Sequence, residues 1–199
     1  MTANENQPAS NLDKNIQTRR SLRSFADKNV DAETLRTLFE AARWAASCFN
    51  EQPWRFVYAT REEPAEFERL LACLVEFNQA WAKAAPVLML TLAAKSFEKN
   101  GKANRHAEHD LGLALGNLSL QAASLGLHVH EMAGFDAAQA AQDLGVPPEY
   151  TVVSMATIGY PGDPQNLSEA LREKEAAPRT RKALSEIVFR GGFGELNGL

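Results

Sequence analysis

The stretch APVLMLTLAA, residues 85–94, most constrains what this chain can fold into. It is apolar throughout except for Thr91. It is too short to cross a membrane, and a continuous apolar run bounded by polar segments is typical of a strand buried on both faces. A chain of 199 residues, 45% of them hydrophobic, can bury such a strand without disulfides or metals.

The segment HDLGLALGNLSLQAASLGLH, residues 109–128, is long enough for a helix and apolar nearly all round. Gly112 and Gly116 form a GxxxG spacing, and Gly126 predicts where the helix ends. The small residues would let another helix approach the backbone closely. A largely apolar helix in so small a domain suggests a subunit interface.

The remaining pattern mixes helices and strands without a regular βαβ alternation, which indicates an α+β fold. Helices are predicted over residues 31–46, with Asp31 as N-cap, over 62–77 and over 136–144. Strands are predicted over residues 54–60, 127–132, 151–162 and 186–189. The third of these strands runs up to a Tyr-Pro-Gly turn, and the last has the sequence EIVF. EIVF could extend the chain's own sheet or a partner's. Residues 95–109 predict an exposed loop with helical turns. Residues 1–10 are predicted to be a disordered leader, and residues 11–199 are predicted to form a single domain.

Charge and cysteine content narrow the possible partners and compartment. A net charge of −4 gives no reason to expect nucleic acid or an anionic membrane as partner. No apolar run reaches the length of a membrane span. Cys48 and Cys73 form neither CxxC nor a zinc spacing, so a reducing, cytoplasmic setting is expected.

Histidine pairs are the only hint of a metal site. His106 and His109 are three apart, and His128 and His130 share one face of a predicted strand. No third ligand is fixed by spacing, so we predict no metal site. P-loop, G-x-G-x-x-G and G-x-S-x-G fingerprints are also absent, which argues against a Rossmann nucleotide site and a serine nucleophile.

Arginines cluster near both ends of the chain. RRSLRSF near the N-terminus and RTR near the C-terminus contain Arg19, Arg20, Ser21 and Arg23, and Arg179 and Arg181. Guanidinium groups bind phosphate through bidentate, charge-assisted hydrogen bonds. An ordinary solvated basic run would explain the first motif alone, but one dianion bound from both chain ends would explain both.

The turn SCFNEQPW carries unusual hydrogen-bonding capacity. Asn50 and Gln52 each offer a donor and an acceptor, which suits a ligand edge with alternating carbonyl and N–H groups. Both amides could equally cap the helix and hold the turn, with Trp54 in the core. Cys48 is expected to be a small packing group. Residue types alone leave both interpretations of the amides open.

The ordered set of motifs resembles the nitroreductase family of FMN-dependent oxidoreductases. RRSLRSF, AARWAASCFNEQPWRF, APVLML, HDLGLALGNLSLQAASLGLHVHEMAGFD and PRTRKALSEIVF carry the resemblance, from Ile16 to Phe189. It implies a three-layer α+β sandwich, with a mixed, mainly antiparallel sheet flanked by helices, built as an intertwined homodimer with FMN at the interface. It also implies an enzyme that uses NADH or NADPH to reduce nitroaromatic, quinone or similar flat acceptors by a ping-pong mechanism.

The resemblance also assigns cofactor contacts, and no catalytic side chain. By similarity the FMN phosphate, ribityl chain and pyrimidine edge would be held by Arg19, Ser21 and Arg23, with main-chain contacts from Arg20 and closure on the phosphate by Arg179 and Arg181. Ser47, Cys48 and Asn50 would reach the flavin from the other subunit, supported by Gln52, while Met132, Ala133 and Gly134 would follow the ring near N5 and Asn78 would touch its edge.

Two departures from the family pattern affect the expected activity. Ala133 stands where better-known nitroreductases have a Glu, which removes a carboxylate near the ring. Residues 95–109 occupy a region that lines the substrate mouth in relatives. The alternatives are a specialised relative of the same fold, such as a reductive dehalogenase or a flavin- or azoline-modifying enzyme, or a non-catalytic flavin-binding module.

Overall fold

The computed structural model describes residues 11–195. Its α-helices are α1 (Lys14–Thr18), α2 (Ala32–Arg43), α3 (Pro64–Ala72), α4 (Glu76–Ala82), α5 (Ala107–Ser124), α6 (Ala137–Asp143) and α7 (Glu169–Ala176). Its strands are β1 (Trp54–Thr60), β2 (Val87–Ala94), β3 (His128–Met132) and β4 (Tyr150–Gly159). Short 3-10 helices cover Cys48–Asn50, Pro164–Asn166 and Leu184–Glu186. The predicted leader, residues 1–10, lies outside the described residues.

The four strands form one sheet in the order β1-β2-β4-β3. Each neighbouring pair is antiparallel, so the part of the chain that the structure describes has no parallel pair, whereas the resemblance implied a mixed sheet. β2 is interior and is buried at every position from Val87 to Ala93. The prediction of a strand covered on both faces is confirmed.

Two helical layers cover the sheet, and the side chains of β2 alternate between them. Val87 and Met89 join the cluster formed with α2 and α5. Leu88 and Leu90 join the cluster formed with α3, α4, α6 and α7. A strand buried on both faces needs apolar residues at every position, which is why APVLMLTLAA shows no alternation. The α+β architecture is confirmed.

α5 spans the length predicted for it and ends before Gly126, whose φ of +76° suits glycine. Only one side is buried, through Leu111, Leu115 and Leu118. The opposite side exposes small and apolar residues, namely Gly112, Leu113 and Gly116. The helix is therefore apolar on a face that its own chain leaves bare.

Two predictions of secondary structure are wrong. The helix expected over residues 62–77 is broken after Ala72, because Leu74 pairs with Phe135 and the amide of Asp136 donates to the carbonyl of Cys73. EIVF joins no strand of the sheet. Its first residue, Glu186, ends a 3-10 helix instead. At the break after Ala72 contacts with a distant segment outweigh the local pattern, whereas at Glu186 local hydrogen bonds to Ala183 form a turn of 3-10 helix.

The remaining secondary-structure predictions are confirmed within one to three residues at each end. Asp31 caps α2 by accepting from the amide of Thr34 at 2.7 Å. Trp54 is in the core, 6% exposed. Residues 95–106 are a loop with one isolated bridge, Ser96 to Ala103. Among residues 11–195, no helix is long and apolar enough to cross a membrane.

Candidate functional site

The arginine segment, residues 19–23, leaves α1 without regular secondary structure and passes the edge strand β3. Arg19 and Ser21 line a cavity between the segment, α5 and β3, with the Arg19 Nη1 atom 3.5 Å from the Ser21 Oγ atom. The side chain of Arg20 turns elsewhere and donates to the carbonyl oxygens of Glu175 and Ala177, at 2.7 and 3.3 Å. The side chains of Arg19 and Ser21 thus face the cavity, whereas that of Arg20 between them anchors the segment to the chain near α7.

Glu175 on α7 anchors the far end of the arginine segment. Its carboxylate accepts from the amide of Arg23 at 2.5 Å, from the amide of Ser24 at 3.3 Å and from the hydroxyl of Ser24. The residue is 6% exposed. A buried carboxylate is tolerated where several donors compensate its charge, as they do here.

The His128 and His130 side chains hold the middle of the segment. Their Nδ1 atoms lie 3.2 and 3.0 Å from the carbonyl oxygens of Arg20 and Leu22, so each ring donates to the backbone. Burial lowers the pKa of both rings below the usual 6.5, the hydrogen bonds and Glu175 opposing this shift. Neutral rings with Nδ1–H account for the spacing that suggested a metal pair. Within the described residues, no group of three or more potential ligands could hold a metal.

The C-terminal arginines join the same region. Arg179 donates from Nη1 to the carbonyl of Arg19 at 2.6 Å, and from Nη2 to that of Gln17. Burial lowers the pKa of Arg179, and the positive charges of Arg181, Arg19 and Arg20 lower it further. Between residues 11 and 195, none of these guanidinium groups forms an ion pair with a carboxylate. The two ends of the chain therefore build one cluster of positive charge that contains no ion pair among the described residues.

The cavity beside the cluster has a volume of about 390 Å³. It is lined by Ile16, Arg19, Ser21, Gly112, Gly116, Ser119, Leu120, Val129 and Glu131. Gly112 and Gly116 have no side chains to fill the cavity from the α5 side. Val129 and Glu131 share one face of β3 because strand side chains alternate. Removal from water raises the pKa of the Glu131 carboxyl, while Arg19 lowers it. The cavity thus combines a basic rim, apolar walls and one acid.

Arg23 carries an unsatisfied donor. Its guanidinium carbon lies 5.7 Å from the centroid of the Trp81 ring, which in turn packs 4.7 Å from His130. Its Nε atom is buried with no hydrogen-bond partner among the described residues. A buried donor without an acceptor costs about 1–3 kcal/mol, so its presence points to a partner that is not part of this chain.

The amide turn, residues 47–52, follows α2 and is held by its own polar groups. The Ser47 Oγ atom accepts from the amide of Gln52 at 3.0 Å, and the Gln52 side-chain amide donates to the carbonyl of Asn50 at 3.0 Å. Gln52 thus secures the turn, whereas the exposed Asn50 side chain has no hydrogen bond in residues 11–195. The two amides, equivalent by residue type, differ in the structure.

Contacts from α5 and the 95–106 loop fix the turn in place. The amide of Cys48 donates to Asp110 at 2.9 Å, and the amide of Glu98 donates to Glu51 at 2.5 Å. Phe49 is 90% exposed, with its ring 6.0 Å from that of Phe97. No hydrogen bond of the described chain joins this turn to the arginine segment.

Met132 ends β3, Ala133 and Gly134 follow it directly, and Asn78 lies against Gly134. The Asn78 Nδ2 atom donates to the carbonyl of Gly134 at 3.0 Å, and the amide of Val75 donates to the same oxygen at 3.1 Å. A Cβ atom at Gly134 would lie 2.6 Å from that Nδ2 atom, so glycine is needed for this approach. The break between α3 and α4 brings Asn78 here.

The structure therefore joins the predicted site residues into three groups. The first contains Arg19, Arg20, Ser21, Arg23, Arg179 and Arg181, the second Met132, Ala133, Gly134 and Asn78, and the third Ser47, Cys48, Asn50 and Gln52. Glu131 and Glu175 were missed by sequence reasoning. The sole signal was position: Glu131 is an acid within a strand next to a predicted contact, and Glu175 lies four positions before Arg179, the first residue of RTR.

Comparison with known proteins identifies the class to which this fold and site belong. A model of the nitroreductase family matches residues 16–160, which is most of the chain. The protein belongs to the nitroreductase family, which is a family of oxidoreductases.

Several relatives match over most of their length. A protein of Xanthomonas oryzae pv. oryzae, named by inference an NADH dehydrogenase/NAD(P)H nitroreductase, is 34% identical over 179 residues, covering 80% of this chain and 89% of its own. A crystal structure described as an oxidoreductase containing FMN has a TM-score of 0.89 and 32% identity, with 98% and 99% of the two chains covered. A Desulfovibrio desulfuricans protein, solved in complex with FMN, has a TM-score of 0.70 and 25% identity, with 90% and 95% covered.

Proposed function

We propose that the protein is an FMN-dependent oxidoreductase that uses NADH or NADPH to reduce nitroaromatic, quinone or similar flat acceptors. One observation carries the proposal: arginines from both ends of the chain gather beside one cavity, and within residues 11–195 none of their guanidinium groups forms an ion pair with a carboxylate. Such a cluster favours a ligand that carries a dianionic phosphate. The relatives described as containing FMN support that choice of ligand.

The residues present fit FMN. Arg19, Ser21 and Arg181 would hold the phosphate, and Arg179 would add charge while it keeps the segment closed on α1. The unsatisfied Nε atom of Arg23 would find its acceptor on the ligand. Bound FMN would supply hydride and electron transfer between nicotinamide and acceptor. The chain itself binds and orients the cofactor, and its arginines favour a negatively charged flavin by fixed electrostatics.

The second group would lie along the ring of the flavin. Asn78 fixes the Gly134 carbonyl, so the backbone after β3 has a defined course. Because Ala133 has no ionisable group, no carboxylate from that position would oppose negative charge on the ring. We therefore propose that the backbone of Met132, Ala133 and Gly134 forms the wall of the ring site.

The third group is proposed to act across a homodimer interface. Its turn makes no hydrogen bond to the arginine segment of its own chain, and it presents the exposed Phe49 and Asn50. The bare face of α5 offers Gly112, Leu113 and Gly116 for close approach by a second copy. Ser47, Cys48, Asn50 and Gln52 would then belong to the partner's cofactor site. The expected compartment remains the cytoplasm.

Purification and titration test this function. The protein is expected to purify yellow, to release FMN on denaturation, to run as a dimer in sedimentation, and to oxidise NADH or NADPH in the presence of a quinone or nitroaromatic. A colourless protein that cannot be reconstituted with FMN would refute the cofactor. An FMN-bound protein that is bleached by nicotinamide but is reoxidised by no such acceptor would refute the acceptor class.

A further inference from the structure

The cavity that holds Arg19 and Ser21 also contains an acid to which the proposed function gives no role. Glu131 lies on β3 opposite Ala156 of β4, and its side chain faces the same way as that of Val129. Within residues 11–195, its carboxyl forms no hydrogen bond and no ion pair. Glu131 therefore puts a negative charge into a cavity that Arg19 otherwise makes favourable for anions.

The surroundings of Glu131 leave its charge poorly compensated. α5 contributes Gly112, Gly116, Ser119 and Leu120 to the cavity, α1 contributes Ile16 and β4 presents Ala156, none of which is titratable. Within residues 11–195, Arg19 is the only other charged group that lines the cavity. Glu131 remains exposed at the mouth of the cavity, and the pKa of its carboxyl is raised by partial removal from water and lowered by Arg19. The protonation of the Glu131 carboxyl therefore depends on Arg19 and on the charge of a ligand that enters the cavity.

We infer that Glu131 makes cofactor binding depend on protons: its carboxylate competes with the phosphate-bearing ligand for Arg19, and the ligand binds more tightly when Glu131 is protonated. This inference rests on the proposed function and deepens it. An anion entering the cavity repels the ionised carboxylate and favours its protonated form, so binding takes up a proton at Glu131. The chain would hold its cofactor less tightly as pH rises.

The test measures FMN affinity by quenching of flavin fluorescence, with apo-protein at pH 5.5, 6.5, 7.5 and 8.5. Glu131→Gln removes the charge, and Glu131→Thr is a second, strand-compatible variant in case the first does not fold. Glu68→Gln is the matched control, because it removes the same charge from an exposed position on α3. The phosphate also titrates in this range, so the wild type and the control provide its contribution.

At pH 7.5 we expect both Glu131 variants to bind FMN about threefold to tenfold more tightly than Glu68→Gln, since a charge across a partly solvated cavity is screened. Their affinity should also change less with pH. Riboflavin, which has no phosphate, should show no such gain. Equal affinity and pH dependence in the variants and the control would overturn the inference, as would an equal gain for riboflavin. If the wild type fails to bind FMN, the proposed function falls as well.

Discussion

The arginine segment and the amide turn both contain proposed cofactor contacts, and they are held in opposite ways. The segment is fixed from outside by Glu175, His128 and His130, which are all supplied by other elements of the same chain. The turn is fixed in an unfavourable backbone: Phe49, Asn50 and Gln52 have φ of +54°, +58° and +52° without being glycine. The segment is therefore preorganised by contacts, whereas the turn stores strain.

The strain in the turn also has a location that bears on function. A non-glycine residue in the left-handed region costs about 1–2 kcal/mol and persists only where the surroundings enforce it. Here Asp110, Ser47 and Glu98 provide that enforcement. The result is an exposed aromatic ring at the tip of a rigid turn. The arginine segment is supported entirely by its own chain, whereas the amide turn presents a surface that its own chain does not cover.

The largest expected effect breaks the charge of the arginine segment without disturbing its support. Arg19→Gln combined with Arg181→Gln should weaken FMN binding by about 3–6 kcal/mol, at about 1.5–3 for each charged hydrogen bond. Unfolding of the apo-protein should change little, because among the described residues the guanidinium of Arg19 hydrogen-bonds only to Ser21 and that of Arg181 only to Thr180. Fluorescence titration and urea unfolding measure the two effects.

The matched control for this double variant is Arg36→Gln with Lys99→Gln, which removes two positive charges from exposed positions elsewhere. If the two double variants bind FMN equally well, the cluster is not the phosphate site.

Removing the support should instead act on stability. Glu175→Gln places an amide NH₂ against backbone N–H donors that now meet a carboxylate, and should lower the free energy of unfolding by about 3 kcal/mol. Urea unfolding measures this. The comparison is Glu173→Gln on the same helix, whose side chain is exposed and should have almost no effect. Identical midpoints for both variants would show that Glu175 does not anchor the segment.

Strain in the amide turn can be measured by comparing two truncations of Phe49. Glycine adopts a positive φ freely, so Phe49→Gly should be about 1 kcal/mol more stable than Phe49→Ala, although alanine is normally the more stable of the two. Both lose the same exposed ring, so burial cancels in the comparison. Thermal or urea unfolding of the two variants measures this difference. An alanine variant at least as stable as the glycine variant would show that the backbone at Phe49 is not strained.

The smallest effect concerns pH and the histidines that hold the segment. Burial lowers the pKa of His130 below 6.5, so the unfolded chain binds protons first as pH falls. The stability it contributes is complete above about pH 6.5 and is lost as pH falls below that value. His130→Asn keeps a donor for the Leu22 carbonyl but cannot titrate, so its unfolding free energy should fall less between pH 7.5 and 5.5. Unchanged pH dependence would rule out this role.

Local patterns predicted the fold well where each element is governed by its own neighbours. Asp31 marks the start of α2, and Gly126 follows the end of α5. The break after Ala72 could not be seen, because pairing of Leu74 with Phe135 imposes it over a long sequence separation. Nor could the left-handed backbone at Phe49, because no glycine marks it.

The site followed the same division. Arginine, serine and amide residues could be proposed as cofactor contacts by type, since the chemistry of these side chains is evident from the sequence. Their supports could not. Glu175 acts on residues more than 150 positions earlier, and the histidine pair took on a hydrogen-bonding role only once the segment lay against β3. Whether a polar residue binds a ligand or holds the residue that does is a property of tertiary structure.

The meeting of the two chain ends has a consequence for biosynthesis. All four strands and the helices on both faces of the sheet, apart from α7, precede Glu175 and Arg179 along the chain, so a nascent polypeptide can assemble its core before the proposed phosphate site exists. A chain that terminates near residue 170 would keep most of the core-forming sequence yet lack the groups that hold the arginine segment. Under the proposed function, flavin colour would therefore report translation past Arg181 as well as folding.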